Sequence, residues 1–360
     1  MQLNEEKRQQ LGAIGWRDDI LPEVVSGQAI VRVIAQHRNG YRVHDGATES
    51  PAQPAPRFLR RGGDASERPA VGDFVIVDPS SPLLIRDVLP RRSVLSRAAA
   101  GERYQRQVIA TNIDTVFVVM GLDGDFNPRR VERYLTLIQG SGARPLIVLT
   151  KSDKVDNAAA LAMAADLREV AAGGAEVYAV NAKDRTSIVP LLAWLKHGDT
   201  AVLVGSSGAG KSTLTNTLLG IERQATASVR DHDSRGRHTT THRALIMLPS
   251  GGCLIDTPGM RELKLSGDED LGSAGFADIE ALALQCRFGD CTHRSEPGCA
   301  VRAALETGAL DAERWQNFLK LRGELAATSD TLEAQLKRKA QARVANKALN
   351  KRLTEKYSGR

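Results

Sequence analysis

No apolar run in this 360-residue sequence is long enough to cross a bilayer; the longest, such as "TVFVVMGL" over 115–122, are strand-sized. The opening residues, "MQLNEEKRQQLG", carry both signs of charge and lack the hydrophobic centre of a secretory signal, so a cytoplasmic protein is expected. Cysteine is scarce. Of the four present, three fall with one histidine inside 286–299, which in a reducing compartment argues for a metal rather than disulfides. There is no internal repeat and no low-complexity tract. Acidic residues are almost missing from one end: between Lys337 and Arg360 nine Lys/Arg face only Glu355, within a chain of net charge +6. Such a tail is either a solvated helix or a polyanion contact.

What is present fits a soluble globular protein of two or three domains, with 42% hydrophobic and 26% charged residues. Residues 1–27 are polar and read as a poorly ordered tail. From 28 to 100, short alternating runs ("AIVRVIAQ", "YRVHD", "GDFVIVD", "LLIRDVL") predict a small β-barrel, OB-like or SH3-like by pattern alone. Five-stranded OB barrels commonly bind nucleic acid. The Pro/Gly/Arg-rich stretch 46–70, with "PRFLRRGG", reads as a loop too polar for core. Over 101–273 continuous apolar strands alternate with helices, including helices at 157–172 and 187–197, which indicates a parallel sheet covered on both faces. Residues 274–345 read as helical around the Cys/His cluster, and 346–360 as a basic tail.

The strongest motif is "VLVGSSGAGKST" at 202–213, a G-x-x-x-x-G-K-[ST] loop between an apolar strand and a helix. Gly205, Ser206, Ser207, Gly208, Ala209 and Gly210 would turn backbone N–H groups around phosphates at the positive end of a helix. Lys211 would reach the β and γ phosphates, Ser212 would ligate Mg²⁺, and Thr213 continues the loop into the helix. Upstream, at 150–153, Thr150, Lys151, Ser152 and Asp153 resemble the [NT]-K-x-D loop that reads guanine in GTPases. About thirty residues later Asn181, Ala182 and Lys183 resemble the S-A-K loop that contacts the guanine oxygen. Downstream, Asp256-Thr257-Pro258-Gly259 matches D-x-x-G, in which the Asp holds Mg²⁺ and the Gly senses the γ phosphate. Between lies "RGRHTTTHR" (235–243), where a switch threonine, with Thr240 preferred, would ligate Mg²⁺.

No phosphate loop precedes the base-reading loop. The order is base, base, phosphate, switch, switch, which is a conventional GTPase cut before its base-reading strands and rejoined at its old ends. With the barrel and the Cys/His region, the chain resembles the RsgA/YjeQ family of circularly permuted, small-ribosomal-subunit-dependent GTPases, over nearly its whole length. The expected fold is an α/β permuted P-loop GTPase domain, an N-terminal OB-like barrel and a C-terminal, mostly helical zinc-binding domain. The resemblance implies GTP hydrolysis coupled to late maturation of the small (30S) subunit, with 16S rRNA as partner; a monomer is expected. A nucleotide-regulated RNA-binding module with incidental hydrolysis is the alternative. Two departures stand out. Thr150 replaces the usual Asn, which weakens the base loop, and Met260 replaces the water-orienting Gln after D-x-x-G. With no amide there, His238, beside the threonines in a basic segment, becomes the candidate for orienting the attacking water.

"CRFGDCTHRSEPGC" (286–299) gives C-x₄-C-x-H-x₅-C. Three thiolates and an imidazole fill a tetrahedral structural site and leave no position for catalysis. The resemblance also implies zinc at Cys286, Cys291, His293 and Cys299. Cys253, three residues before Asp256, reads as core. His37, His44, His197 and His232 read as surface or loop residues, and Trp16, Trp194 and Trp315 as packing residues.

Overall fold

The computed structural model describes residues 4–18, 25, 27–37, 39–59, 65–98, 106–171, 174–220, 243–257, 271 and 275–329. The expected disordered tail is instead partly built. Helix α1 (Glu5–Ala13) starts at Asn4, whose side chain accepts from Lys7 N at 2.9 Å, with Glu5 and Glu6 in the first turn against the helix dipole. Leu11, Ile14 and Trp16, sparse among polar neighbours, pack with Ile30, Phe74, Ile76 and Leu89. Three apolar residues are too few to predict order, but the surface that receives them is itself apolar.

That surface is the outside of a barrel made of β1 (Ala29–His37), β2 (Gly40–His44), β3 (Glu49–Pro54), β4 (Phe74–Asp78) and β5 (Leu83–Val88). Neighbours pair as β1-β2-β3-β5-β4 and β4 closes onto β1; only β3–β5 is parallel. Along β1 and β4 successive residues alternate between the covered outside (Ile30, Phe74, Ile76) and the interior, where Val31, Val33, Val75 and Val77 meet Tyr41, Val43, Ala52 and Ile85. β3 lies inside the stretch expected to be loop. Its sequence, ESPAQP, has two prolines and no apolar alternation, so pairing with β2 and β5 makes it a strand where propensity does not. His44, expected at the surface, is buried in β2 and accepts from Gly46 N through Nδ1 at 2.9 Å.

β6 (Val94–Ala98) pairs antiparallel with β7 (Arg106–Thr111), so a division at 100/101 falls inside a hairpin. The α/β part follows: β8 (Thr115–Gly121), α2 (Pro128–Gln139), β9 (Arg144–Thr150), α3 (Asn157–Val170), β10 (Glu176–Ala179), β11 (Thr200–Val204), α4 (Lys211–Leu219), β12 (Ala244–Met247) and β13 (Cys253–Asp256). The helix expected over 187–197 is a 3₁₀ turn of six residues, Val189–Trp194, with Pro190 in its first turn. The sheet order is β10-β9-β8-β11-β13-β12, parallel except for β12. Every residue of β8 and β11 is buried, as strands covered on both faces require. β12 then pairs antiparallel with β1 at Ala35 and Ala244, which makes sheet and barrel one continuous surface.

Arg32 of β1 sits wholly buried in the joint. Its guanidinium donates to Gly72 O at 3.1 Å, Thr200 Oγ1 at 2.9 Å, Asn112 O at 3.0 Å and Ile14 O, and lies 5.0 Å from the Phe74 ring centroid. Burial pushes its pKa down to about 10, opposed by Cys253 and Asp114. One charge thus ties α1's end, the barrel, the β7–β8 turn and the start of β11. Glycine makes the approach possible: a Cβ on Gly15 would stand 2.4 Å from the Arg32 guanidinium.

After residue 275 come α5 (Ala277–Leu284), α6 (Ala300–Thr307) and a helix α7 over 312–329. They do not form a separate core. Phe276, Ile279, Val301, Trp315, Phe318 and Leu321 share one buried cluster with Val131, Leu135 and Ile138 of α2. The buried Glu132 carboxylate of α2 accepts from Arg129 at 3.0 Å, Arg314 at 3.2 Å and Asn317 at 2.5 Å, and Arg133 pairs with Glu324 at 2.6 Å. Desolvation raises the Glu132 pKa in spite of the two arginines.

Candidate nucleotide and metal sites

Loops leaving β8, β9, β10, β11 and β13 all emerge at the carboxyl ends of parallel strands, the side where open α/β sheets bind ligands. The phosphate-type loop leaves β11 with Gly205, Gly208 and Gly210 at φ +146°, +84° and +90°. Space and backbone both demand glycine at two of them. A Cβ on Gly205 would stand 2.1 Å from Val119 O, and one on Gly210 3.0 Å from Thr150 Oγ1. α4 begins at Lys211, and the loop's N–H groups lie at its positive end. Lys211 Nζ donates to Gly205 O at 2.8 Å and Ser206 O at 2.5 Å. Its pKa is lowered by burial, with Asp125 and Asp256 pulling the other way. Ser212 is exposed at the first turn of α4, Thr213 is half-buried, and Asp256 ends β13 half-buried.

Thr150 is buried at the end of β9, and its hydroxyl lies 2.6 Å from Ala209 O and 3.3 Å from Met120 O. The hydroxyl that stands for an amide therefore ties the base-type loop to the phosphate-type loop. Lys151 follows at φ +61°, its Nζ donating to Asp123 Oδ2 at 2.6 Å; that bond holds the Asp123 carboxyl below the usual range. Ser152 N donates to Val180 O at 3.3 Å, and Asp153 is exposed in the 3₁₀ turn that comes next. Asn181 N donates to Ser187 Oγ at 2.8 Å and its Oδ1 accepts from Lys183 N at 3.1 Å. Ala182 O accepts from Thr217 Oγ1 of α4 at 2.6 Å, so the second base-type loop is also fastened to the phosphate helix. His238, Thr240, Gly259 and Met260 lie outside the described residues.

Two side chains at this edge escaped sequence reasoning. Asp123 and Asp125 follow β8 in "GLDGDFN" (121–127), and Asp125 Oδ2 accepts from Ser206 Oγ at 2.6 Å. The signal was available: two acids directly after a fully buried parallel strand stand at the ligand edge of a sheet.

Cys286, Cys291, His293 and Cys299 bring their ligand atoms within 4.8 Å of one another and could hold a metal ion. A tetrahedral ion bonded at about 2.3 Å to sulfur and about 2.0 Å to nitrogen has S–S edges of about 3.8 Å and S–N edges of about 3.5 Å. Cys286 and Cys299 sulfurs are 3.9 Å apart, and His293 Nδ1 lies 3.6 Å and 3.5 Å from them. The fit is good. His293 takes φ +62°, and its ring meets Trp315 edge-on at 5.6 Å. Within the ligand loop, Glu296 accepts from the N–H groups of Thr292, Arg294 and Ser295. Cys253 is fully buried in β13, and burial raises its thiol pKa.

On the barrel, Arg57 and Phe58 stand in the 3₁₀ turn Pro56–Leu59, with Arg57 over the Phe58 ring and paired with Asp87 at 2.5 Å. Arg60, Arg61 and the basic segment 337–360 lie outside the described residues.

The family model "RsgA GTPase" matches residues 88–266. An "ABC transporter" model matches 192–357, a span that takes in the phosphate-type loop; among the described residues no helix is long and apolar enough to cross a membrane. A protein of Xanthomonas euvesicatoria pv. vesicatoria (strain 85-10), "Small ribosomal subunit biogenesis GTPase RsgA", is 55% identical over 333 residues, 89% of this chain and 90% of its own. Its namesake in Xanthomonas campestris pv. campestris (strain B100) is 56% identical over the same shares. Among solved structures, YjeQ from Thermotoga maritima superposes with a TM-score of 0.59 at 25% identity, over 83% of this chain and 99% of that one. YloQ, described as a circularly permuted GTPase, gives 0.57 at 23% identity, over 86% and 98%.

Proposed function

The chain belongs to the RsgA family of circularly permuted GTPases, and from that premise we propose that it hydrolyses GTP to GDP and phosphate in the late maturation of the small ribosomal subunit. The observation that carries the reading is the bond from Thr150 to Ala209 O, which joins a loop suited to guanine to a loop suited to phosphates although 59 positions separate them. Hydrolysis of GTP needs positioning and charge neutralisation more than covalent chemistry. Lys211 and the N–H groups of 205–213 take the phosphates. Asp153 accepts from the guanine ring N–H and exocyclic amine, and Asn181, Ala182 and Lys183 line the guanine oxygen. Ser212, Asp256 and Thr240 are the residues that would hold Mg²⁺, which neutralises phosphate charge when bound. Gly259 senses the γ phosphate. His238 orients the water that Met260 cannot.

Zinc at Cys286, Cys291, His293 and Cys299 has a structural role, because four protein ligands leave no open position. It makes the region after 274 a small helical metal-binding unit. The described contacts of this unit run to α2. The barrel, whose strand order is that of an OB fold, and the basic segment 337–360 take 16S rRNA, with phosphate charge as the attraction. We read the protein as a cytoplasmic monomer. GTP turnover measured alone, with purified small subunits and with large subunits tests the proposal. Stimulation by small subunits only is the expected result; turnover indifferent to either would leave an RNA-binding module in which hydrolysis is incidental.

A further inference from the structure

The sheet dictates which loops meet. β8 lies between β9, which ends in the base-type loop, and β11, which ends in the phosphate-type loop. The loop leaving β8, residues 121–127, therefore emerges between the two halves of the site, and it holds both. Asp123 Oδ2 accepts from Lys151 Nζ on one side, and Asp125 Oδ2 from Ser206 Oγ on the other, each at 2.6 Å. The loop is itself fastened. Leu122 N donates to Thr150 O at 2.9 Å, Asp125 N to Asp123 Oδ1 at 3.2 Å and Gly121 N to Asp125 Oδ2 at 3.4 Å. Arg130 of α2 pairs with Asp125 Oδ1, and Asn127 caps α2 by accepting from Arg130 N at 3.1 Å.

Carboxylates beside a phosphate site oppose the ligand's charge, so they must contribute something other than attraction. Here each is matched by a cation, Lys151 for Asp123 and Arg130 for Asp125, which leaves geometry as the contribution. Ser206 is pinned twice, its hydroxyl by Asp125 and its carbonyl by Lys211. That fixes the peptide planes at the start of the phosphate-type loop.

We propose that residues 121–127 form a further nucleotide-site loop that sets the spacing between base-reading and phosphate-binding halves, with Asp125 positioning the phosphate loop through Ser206. The proposal rests on the reading of this edge as a guanine-nucleotide site. GDP affinity is measured by titration with a fluorescent GDP for the full chain and for Asp125→Ala, Asp125→Asn, Ser206→Ala, the Asp125→Ala/Ser206→Ala double variant and Lys211→Ala. Losing one charge-assisted hydrogen bond should weaken GDP about tenfold in Asp125→Ala and in Ser206→Ala. The double variant should be no weaker than Asp125→Ala, because the bond that Ser206→Ala removes is already lost there. Asp125→Asn keeps an acceptor of the same shape and should stay within about threefold of wild type. A merely structural Asp125 would lower the melting temperature without moving affinity. Equal or tighter GDP binding by Asp125→Ala, or singles whose effects multiply in the double, would overturn the proposal. If wild type binds no GDP, or Lys211→Ala binds it equally well, the nucleotide reading itself falls, and the loop's role with it.

Discussion

Replacing Arg32 by alanine tests whether barrel and sheet are held as one body. The guanidinium is fully buried and serves Ile14 O, Gly72 O, Asn112 O and Thr200 Oγ1. Gly72 O keeps a second donor in Asn112 Nδ2 at 3.0 Å, whereas Ile14 O and Asn112 O have no other among the described residues. Two orphaned buried carbonyls cost about 1–3 kcal/mol each, and the vacated volume, similar to that of a deleted large side chain, about 3–5 kcal/mol. One effect opposes these. The ionised guanidinium is held well below its usual pKa, at about 10, by its burial, so deleting it returns about 3 kcal/mol. The loss wins by about 2–8 kcal/mol. At a urea dependence of about 2 kcal/mol per molar, a mid-range loss of about 5 kcal/mol moves the midpoint down by about 2.5 M. Trp16 reports locally, since its ring meets Phe74 edge-on at 5.0 Å beside the guanidinium. In variants keeping a single tryptophan, the Trp16 transition should shift and that of Trp315, which lies by the metal cluster, should not. Arg32→Met fills the stem and should lose less. A Trp16 midpoint within about 0.3 M of wild type in Arg32→Ala would refute the reasoning.

Asp153→Asn should cost GTP binding about 1–3 kcal/mol, since an acceptor becomes a donor facing guanine N–H, and should raise affinity for xanthine nucleotides; competition titrations measure both. Native protein should hold one metal ion per chain by elemental analysis. Chelation or Cys291→Ser should alter Trp315 emission and unfold the C-terminal region first, leaving the Trp16 signal in place; metal-free protein of unchanged stability would contradict this. His238→Ala should lower small-subunit-stimulated turnover at least about a hundredfold with GTP and subunit binding retained, as loss of a water-orienting group does. Stimulated turnover that survives would assign the water to another group.

Permutation was legible because it leaves each motif's local chemistry intact. A glycine-rich loop needs its own strand and helix, and TKSD needs only the end of a strand, so order along the chain could be read from one sequence. The cluster at 286–299 was legible for the same reason, since all four ligands lie within fourteen residues. β3 was not, because prolines and polar residues become a strand only when neighbours on both sides supply partners. Leu11, Ile14 and Trp16 look like a tail until the apolar outside of the barrel is there to receive them. His44 gave no hint that its Nδ1 would be spent on Gly46 N.

The sequence by itself determined the chemistry: which loops suit phosphate and base, which thiols belong to a cluster that could hold a metal, and in what cyclic order the parts come. Those features depend on contacts between residues close in the chain. Only the tertiary structure decided the joints. Arg32 as a buried hub, β12 continuing into β1, α2 carrying the C-terminal helices, and Asp125 reaching Ser206 across 81 positions all depend on strand order. Strand order is set by how whole faces bury against one another, and no local pattern encodes it.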